Sequence, residues 1–137
     1  MSAQYDASYL PPIPVLQVTL VSDTGARSRL LTAIVDTGAD ATIVPEALLL
    51  EIQATPVEPG QIKTQWGEVH PVTVYLLDVQ VEKILLPGML VAGDPTTDEI
   101  VLGRNVLNKL PLFLDGPAQR TELLDDATVK RLRARRE

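Results

Sequence analysis

The chain contains no cysteine, which excludes disulfides, thiolate zinc sites and a cysteine nucleophile. Its single histidine, His70, rules out a histidine-rich metal centre and leaves one candidate for a base of the Ser-His kind. No apolar run approaches the roughly 18–20 residues that cross a bilayer as a helix. The stretch Met1 to Tyr9 lacks the cationic and apolar pattern of a signal peptide, so a cytoplasmic protein with no membrane contact is expected. Aromatic residues make up only 4% of the chain, so Val, Leu and Ile must fill any core. Basic residues are outnumbered 12 to 18, and the net charge of -6 argues against general nucleic-acid binding.

What is present points to one mainly β domain. A chain of 137 residues, 45% of them apolar, fits a single domain with a real core. Branched aliphatics with eleven prolines and eight glycines favour short strands and tight turns. Residues 1–14 read as an extended arm, because Pro11, Pro12 and Pro14 cannot feed a sheet ladder. Residues 15–124 alternate strand-like runs with turns, and residues 125–137 form a basic tail. Within the domain, Val15 to Val21 and Ser28 to Val35 predict a hairpin, and Ala41 to Val44 predicts a strand. Pro45 opens a short helix through Ile52, and Thr55 to Gly60 reads as a loop. Gln61 to Gln65 and Glu68 to Tyr75 predict a second hairpin turning at Trp66-Gly67. Tyr75 to Leu86 and Met89 to Ala92 read as strands, and Ile100 to Leu102 enters a short helix at Gly103. Asp115-Gly116-Pro117 turns a last hairpin, and Asp125-Asp126 cap a helical tail whose cations are expected to face solvent.

Asp-Thr-Gly-Ala occurs twice, at Asp23 and at Asp36. Asp23 is followed by Arg27-Ser28-Arg29, the composition of a solvated hairpin tip, where Asp-Thr-Gly is ordinary turn chemistry. Asp36 lies between Leu31-Thr32-Ala33-Ile34-Val35 and Ala41-Thr42-Ile43-Val44, which would carry its carboxylate to a buried or half-buried loop. Gly38 and Ala39 let backbone amides approach it. An acid placed in that way needs a chemical reason, because unpaired buried charge is costly.

The segment Ala33 to Val44, with Asp36-Thr37-Gly38-Ala39-Asp40 at its centre, resembles the catalytic loop of the retropepsins, the retroviral-type aspartic proteases. About sixty residues later, Ile100-Val101-Leu102-Gly103-Arg104-Asn105 resembles that family's second signature. The resemblance implies a closed, barrel-like β fold with one or two short helices, assembled as a two-fold homodimer. It implies that Asp36 is the catalytic carboxylate, that Thr37 ties the two subunits' loops together, and that Gly38 permits the turn. It also implies an ion pair between Asp40 and Arg104, for which the planar guanidinium suits a carboxylate better than lysine. Substrate would be a protein or extended peptide, bound near Ala39 and Asp40 beneath a flap whose tip is Gln65, Trp66 and Gly67. No metal or organic cofactor is implied.

Peptide hydrolysis of this kind needs one carboxylate as base and one carboxylic acid. Asp23 cannot supply the second, since twelve residues of strand reach on the order of 40 Å and the dyad lies about 3 Å apart. A symmetric dimer supplies it by setting Asp36 beside its own copy. Two anions that close repel by roughly 5 kcal/mol at an effective dielectric of about 20, so the pair shares one proton. Ala39 offers no hydroxyl to favour the anion, and a mildly acidic optimum is expected. His70 is read as structural. Trp66 either covers substrate or packs locally on strand residues, and the Asp115 to Pro117 hairpin is expected in the dimer sheet. The alternative is a catalytically silent dimer of the same fold, acting as a peptide-binding or scaffolding module.

Overall fold

The computed structural model describes residues 2–64 and 66–135. In chain order these form β1 (Ser2–Gln4), β2 (Val15–Val21), β3 (Leu31–Val35), β4 (Thr42–Pro45), α1 (Glu46–Glu51), β5 (Thr55–Lys63), β6 (Val69–Val81), β7 (Ile84–Asp94) and β8 (Ile100–Leu102). There follow α2 (Arg104–Leu107), β9 (Leu112–Asp115), β10 (Arg120–Leu123) and α3 (Asp126–Ala134). The main sheet runs β2-β3-β8-β4-β7-β6-β5, and a further β2–β6 pairing closes six of these strands into a barrel. That is the mainly β, closed-barrel fold the sequence predicts.

Period-2 patterning builds the barrel. In β2, Leu16, Val18 and Leu20 all turn inward and are essentially inaccessible. Val44, Leu49, Val79, Val91 and Val106 meet them from the other walls, with Tyr75 a buried aromatic. Each such aliphatic side chain contributes about 1.5–3 kcal/mol on leaving water, so this layer carries most of the fold's stability. Burial first, and then the Glu46 carboxylate that accepts from its hydroxyl, push the Tyr75 phenol above its ordinary value.

Two expectations are corrected. Thr55 to Gly60 is not a loop but the first part of β5, paired with β6 from Thr55↔Leu76 to Lys63↔Val69. Pro56 and Pro59 are tolerated because β5 is the outermost strand, where a missing N–H need cost no ladder bond, and the register shifts between Pro56 and Glu58. The N-terminal arm is not free of ladder bonds either: Ser2–Gln4 pairs antiparallel with β10 in a separate sheet of order β1-β10-β9. Its proline segment departs from the extended path too, bending at Pro11 after a cis Leu10–Pro11 bond and bridging Asp6 through Ile13. The tail helix α3 is capped as expected, Asp125 accepting from the Thr128 N–H at 2.7 Å, and it buries no residue. That hydrogen bond holds the Asp125 carboxyl below the usual carboxylate range.

The terminal sheet contains one energetic flaw. Thr121, at the centre of β10, is fully buried and its hydroxyl has no partner among the described residues. A buried orphan hydroxyl costs about 1–3 kcal/mol. Thr121→Val keeps the shape and removes the orphan, so it should stabilise the protein by about 1 kcal/mol, read as a raised urea midpoint at unchanged slope. A lowered midpoint would show that the hydroxyl has a partner in the assembled molecule.

Candidate active site

Strand order creates the site. β8 lies between β3, to which it runs parallel, and β4, which it meets antiparallel at Ile43↔Val101. The connection from β3 to β4, residues 36–41, must therefore cross the end of β8. It crosses at Gly103, where a Cβ would stand 2.2 Å from the Ala41 carbonyl oxygen. Glycine is required there because of this close approach, not because of an unusual dihedral angle.

Hydrogen bonds then fix the crossing. The Asp36 N–H donates to the Leu102 carbonyl at 3.1 Å, and the Asp36 carboxylate accepts from the Gly38 N–H at 2.9 Å. A side chain on Gly38 would put its Cβ 3.1 Å from that carboxylate oxygen, so the small residue lets the amide come close. Arg104 serves the loop twice: its N–H donates to the Ala39 carbonyl at 2.8 Å and its guanidinium to the Thr37 carbonyl at 2.9 Å. The expected Asp40–Arg104 ion pair is not formed. The guanidinium is turned to the Thr37 carbonyl instead, and among the described residues His70–Glu68, at 3.5 Å, is the pair within ion-pair distance. Asp40 is exposed.

Two positioning residues escaped the sequence reading. Thr42, 1% exposed, accepts from the Gly103 N–H at 3.1 Å and donates to the Asn105 side-chain oxygen at 2.8 Å. Asn105 passes the linkage on, donating from its amide to the Leu90 carbonyl on β7 at 2.8 Å. The clue to Thr42 was a polar residue inside an apolar strand. For Asn105 it was the third residue of the Gly-Arg-Asn signature.

Asp36, Thr37 and Gly38 are exposed in the single chain, against the expectation of a buried or half-buried acid. The loop presents the carboxylate outward, and apolar strands hold it from behind. Asp23 is engaged elsewhere, accepting from the Thr55 hydroxyl at 2.9 Å at the start of β5. Above the loop stands the β5–β6 hairpin. Its turn is closed by Thr64, whose N–H donates to the Glu68 carbonyl at 2.8 Å and whose carbonyl accepts from the Gly67 N–H at 3.0 Å. Gly67 takes φ +83°, and Trp66 projects at the tip, 82% exposed. This rules out the local-packing alternative for Trp66 within the chain. Gln65, also expected at the tip, lies outside the described residues.

Between loop and hairpin lies a cavity of about 390 Å³ whose wall includes Gly38, Asp40, Ile43, Ile62, Lys63 and Arg104. It continues past Asp40 and Ala41 into an apolar chamber of about 210 Å³ against Gly60, Val72, Val74, Leu90 and Ala92. The larger concavity of about 560 Å³ along Thr128, Arg131 and Arg135 is the open flank of α3 and is remote from this loop in sequence and sheet.

A closed β barrel with an Asp-Thr-Gly loop crossing a Gly-Arg-Asn turn is the arrangement of retropepsin-like aspartic proteases. Residues 28–109 match the family described as gag-polyprotein putative aspartyl protease, and the chain belongs to that family. No curated protein sequence matches the chain. Among solved structures it is similar to the simian foamy virus (mac) protease in solution, with 29% identity and TM-score 0.49, over 69% of this chain and 91% of that one. It is also similar to a foamy viral protease-reverse transcriptase in complex with an RNA/DNA hybrid, with 28% identity and TM-score 0.50. That match covers 74% of this chain but only 13% of the other.

The crossing is sensitive to one methyl group. Gly103→Ala forces the Ala41 backbone to move, and overpacking of this kind costs about 1–3 kcal/mol. A thermal unfolding midpoint unchanged from the parent would show that the loop does not cross where described.

Proposed function

We propose that the chain is one subunit of an aspartic endopeptidase in which Asp36 from two copies forms the catalytic dyad. The observation that carries this reading is one exposed Asp-Thr-Gly loop, held from behind by Leu102, Gly38 and Arg104, with the aspartate of the chain's other Asp-Thr-Gly engaged at Thr55. One acid set so firmly at a surface has the chemistry of half a dyad.

In the assembled pair, one Asp36 is ionised and the other protonated. The ionised carboxylate takes a proton from the attacking water, while the protonated one donates to the scissile carbonyl oxygen. The oxygen of that water bonds to carbonyl carbon, and the resulting tetrahedral diol carries no net oxyanion. Collapse expels the amine, which takes its proton from the carboxyl that gained one, while the other carboxylate takes a proton from a diol hydroxyl as the product carboxyl forms, and the shared-proton state returns. Thr37, at the loop apex, is the residue to bond the two loops together. Ala39 and Asp40, with Trp66 and Gly67 of the β5–β6 hairpin acting as a flap, bind the peptide. An extended substrate fits between loop and flap by strand-like pairing, its aliphatic side chains entering the chamber near Val74 and Leu90. The substrate is therefore a protein or peptide.

The second reading is a silent dimer that binds peptides or organises a complex. The observation in its favour is the flap tip, which has one glycine and a turn closed by Thr64, and is therefore stiffer than a glycine-rich tip.

The two separate cleanly. The parent protein should cleave members of a diverse peptide pool between about pH 4 and 6, with a bell-shaped dependence of kcat/KM on pH. Asp36→Asn should lose that cleavage by several orders of magnitude while keeping the parent's mass in solution. Equal silence from both, with peptide still bound, establishes the module. Trp66 is the chain's sole tryptophan, so its emission should shift when an uncleaved peptide analogue binds. An unchanged spectrum at saturation removes Trp66 from the binding site.

A further inference from the structure

The chain's one histidine stands on the face of the β5–β6 hairpin that looks into the cleft. In the ladder His70 lies directly opposite Ile62, and the next pair on the same face is Gly60↔Val72. Ile62, Gly60, Val72 and Val74 all wall the apolar chamber beside Asp40. Side chains two apart along a strand share a face, so β6 presents a row of Val74, Val72 and His70 that runs from the chamber toward the tip. The row is apolar until His70. There the Glu68 carboxylate comes within 3.5 Å of His70 Nε2, and the two side chains are 39% exposed for His70 and 70% for Glu68. The backbone at the tip is already engaged. The Trp66 and Glu68 N–H groups both donate to the Thr64 hydroxyl at 3.3 Å, and the Gly67 N–H donates to the Thr64 carbonyl at 3.0 Å. A peptide beneath this hairpin therefore meets side chains rather than those three amides.

We infer that His70 and Glu68 form a specificity site for a carboxamide, so that the substrate carries Gln or Asn two positions from the aliphatic residue in the chamber. The inference rests on the peptide-binding reading of the cleft and adds a substrate class to it. Charge favours no ion here, because the carboxylates of Asp40 and Glu68 are matched by Lys63 and Arg104 on the cavity wall. Hydrogen bonding decides instead. With Nε2 facing Glu68, the imidazole offers Nδ1, an acceptor when the ring is neutral and a donor when it is protonated. A carboxamide answers both states, since it carries a carbonyl acceptor and two N–H donors, and one donor is left for the acceptor-only Glu68. A carboxylate would face Glu68 and Asp40 as like charges, and an ammonium would face Lys63 and Arg104. An extended peptide repeats a face every second residue, about 6.6–6.8 Å apart. His70 and Val72 have that same spacing along β6, so the carboxamide and the aliphatic side chain are read together.

A pool peptide that the parent cleaves, varied to Gln, Met, Glu or Lys two positions from its aliphatic side chain, reads this directly. In the parent, kcat/KM should be about tenfold higher for Gln than for Met, which has nearly the same length. His70→Leu should reverse that order, and Glu68→Gln, at an exposed position, should narrow the difference. Val69→Thr, on the opposite face of β6, is the control and should keep the parent's order. A parent that does not favour Gln over Met overturns the inference. So does a His70→Leu variant that slows all four peptides by one factor, which is the mark of a structural role. A parent that cleaves no peptide fails the endopeptidase reading instead. The same four side chains are then compared by calorimetric titration, where equal affinities for Gln and Met, or no binding, overturn the inference.

Discussion

The passage of one chain segment over the end of another governs this molecule. Because β8 lies between β3 and β4, the link between those strands cannot take a short path and must bridge Gly103. Once it does, nearby polar groups have few ways to be satisfied, and the side chains present fit them. Thr42 meets the buried Gly103 N–H, Asn105 meets Thr42 and the Leu90 carbonyl, and Arg104 collects the carbonyls of Thr37 and Ala39. Each bond contributes only about 0.5–1.5 kcal/mol net, but an unpaired group at Thr42 would cost more than the bond provides. The loop is therefore fixed by the penalties of its alternatives, as well as by the strength of its contacts.

Such a loop can carry an acid at the surface without strain. The sequence reading inferred burial for Asp36 from its apolar flanks, and the flanks are indeed buried: Val35 and Val44 belong to the core. The carboxylate itself points away from them. Apolar residues before and after a turn specify where its ends are anchored, and they leave open which way its apex faces. In the dimer proposed above, a second loop would cover the first, and the like charges of the two Asp36 side chains would constrain each other there. Arg104 illustrates a related limit. Its presence near Asp40 was legible, but a guanidinium has five donors, and the Thr37 carbonyl of a tight loop competes for them with an exposed carboxylate that water solvates well.

Most strands and the barrel were legible because period-2 burial and glycine-rich turns are local signals. The motif pair at Asp36 and Gly103 was legible because each residue answers a steric or hydrogen-bonding demand. What escaped was non-local. Ser2–Gln4 carries no strand signature of its own and becomes a strand only through β10, more than a hundred residues away. Thr42 and Asn105 become a pair only through the strand order. The positions of Asp23 and Asp36 show the same lesson in reverse: identical tetrapeptides take different roles because one joins a hairpin tip and the other spans β8.

Proline in β5 makes the last connection between sequence and site. Pro56 and Pro59 look like breakers, and in a central strand they would be. On the outermost strand they instead remove backbone donors from an edge that would otherwise invite pairing with any extended chain. Gly60 to Lys63, just beyond them, keeps every backbone N–H and includes residues that wall the cavity over the Asp36 loop. Pairing along this edge is thus discouraged far from Asp36 and left open next to it. On the proposed function, the same nine residues would discourage self-association and leave a place for an extended peptide, and the division between those tasks falls at Gly60, where a Cβ would already press within 2.9 Å of Val74.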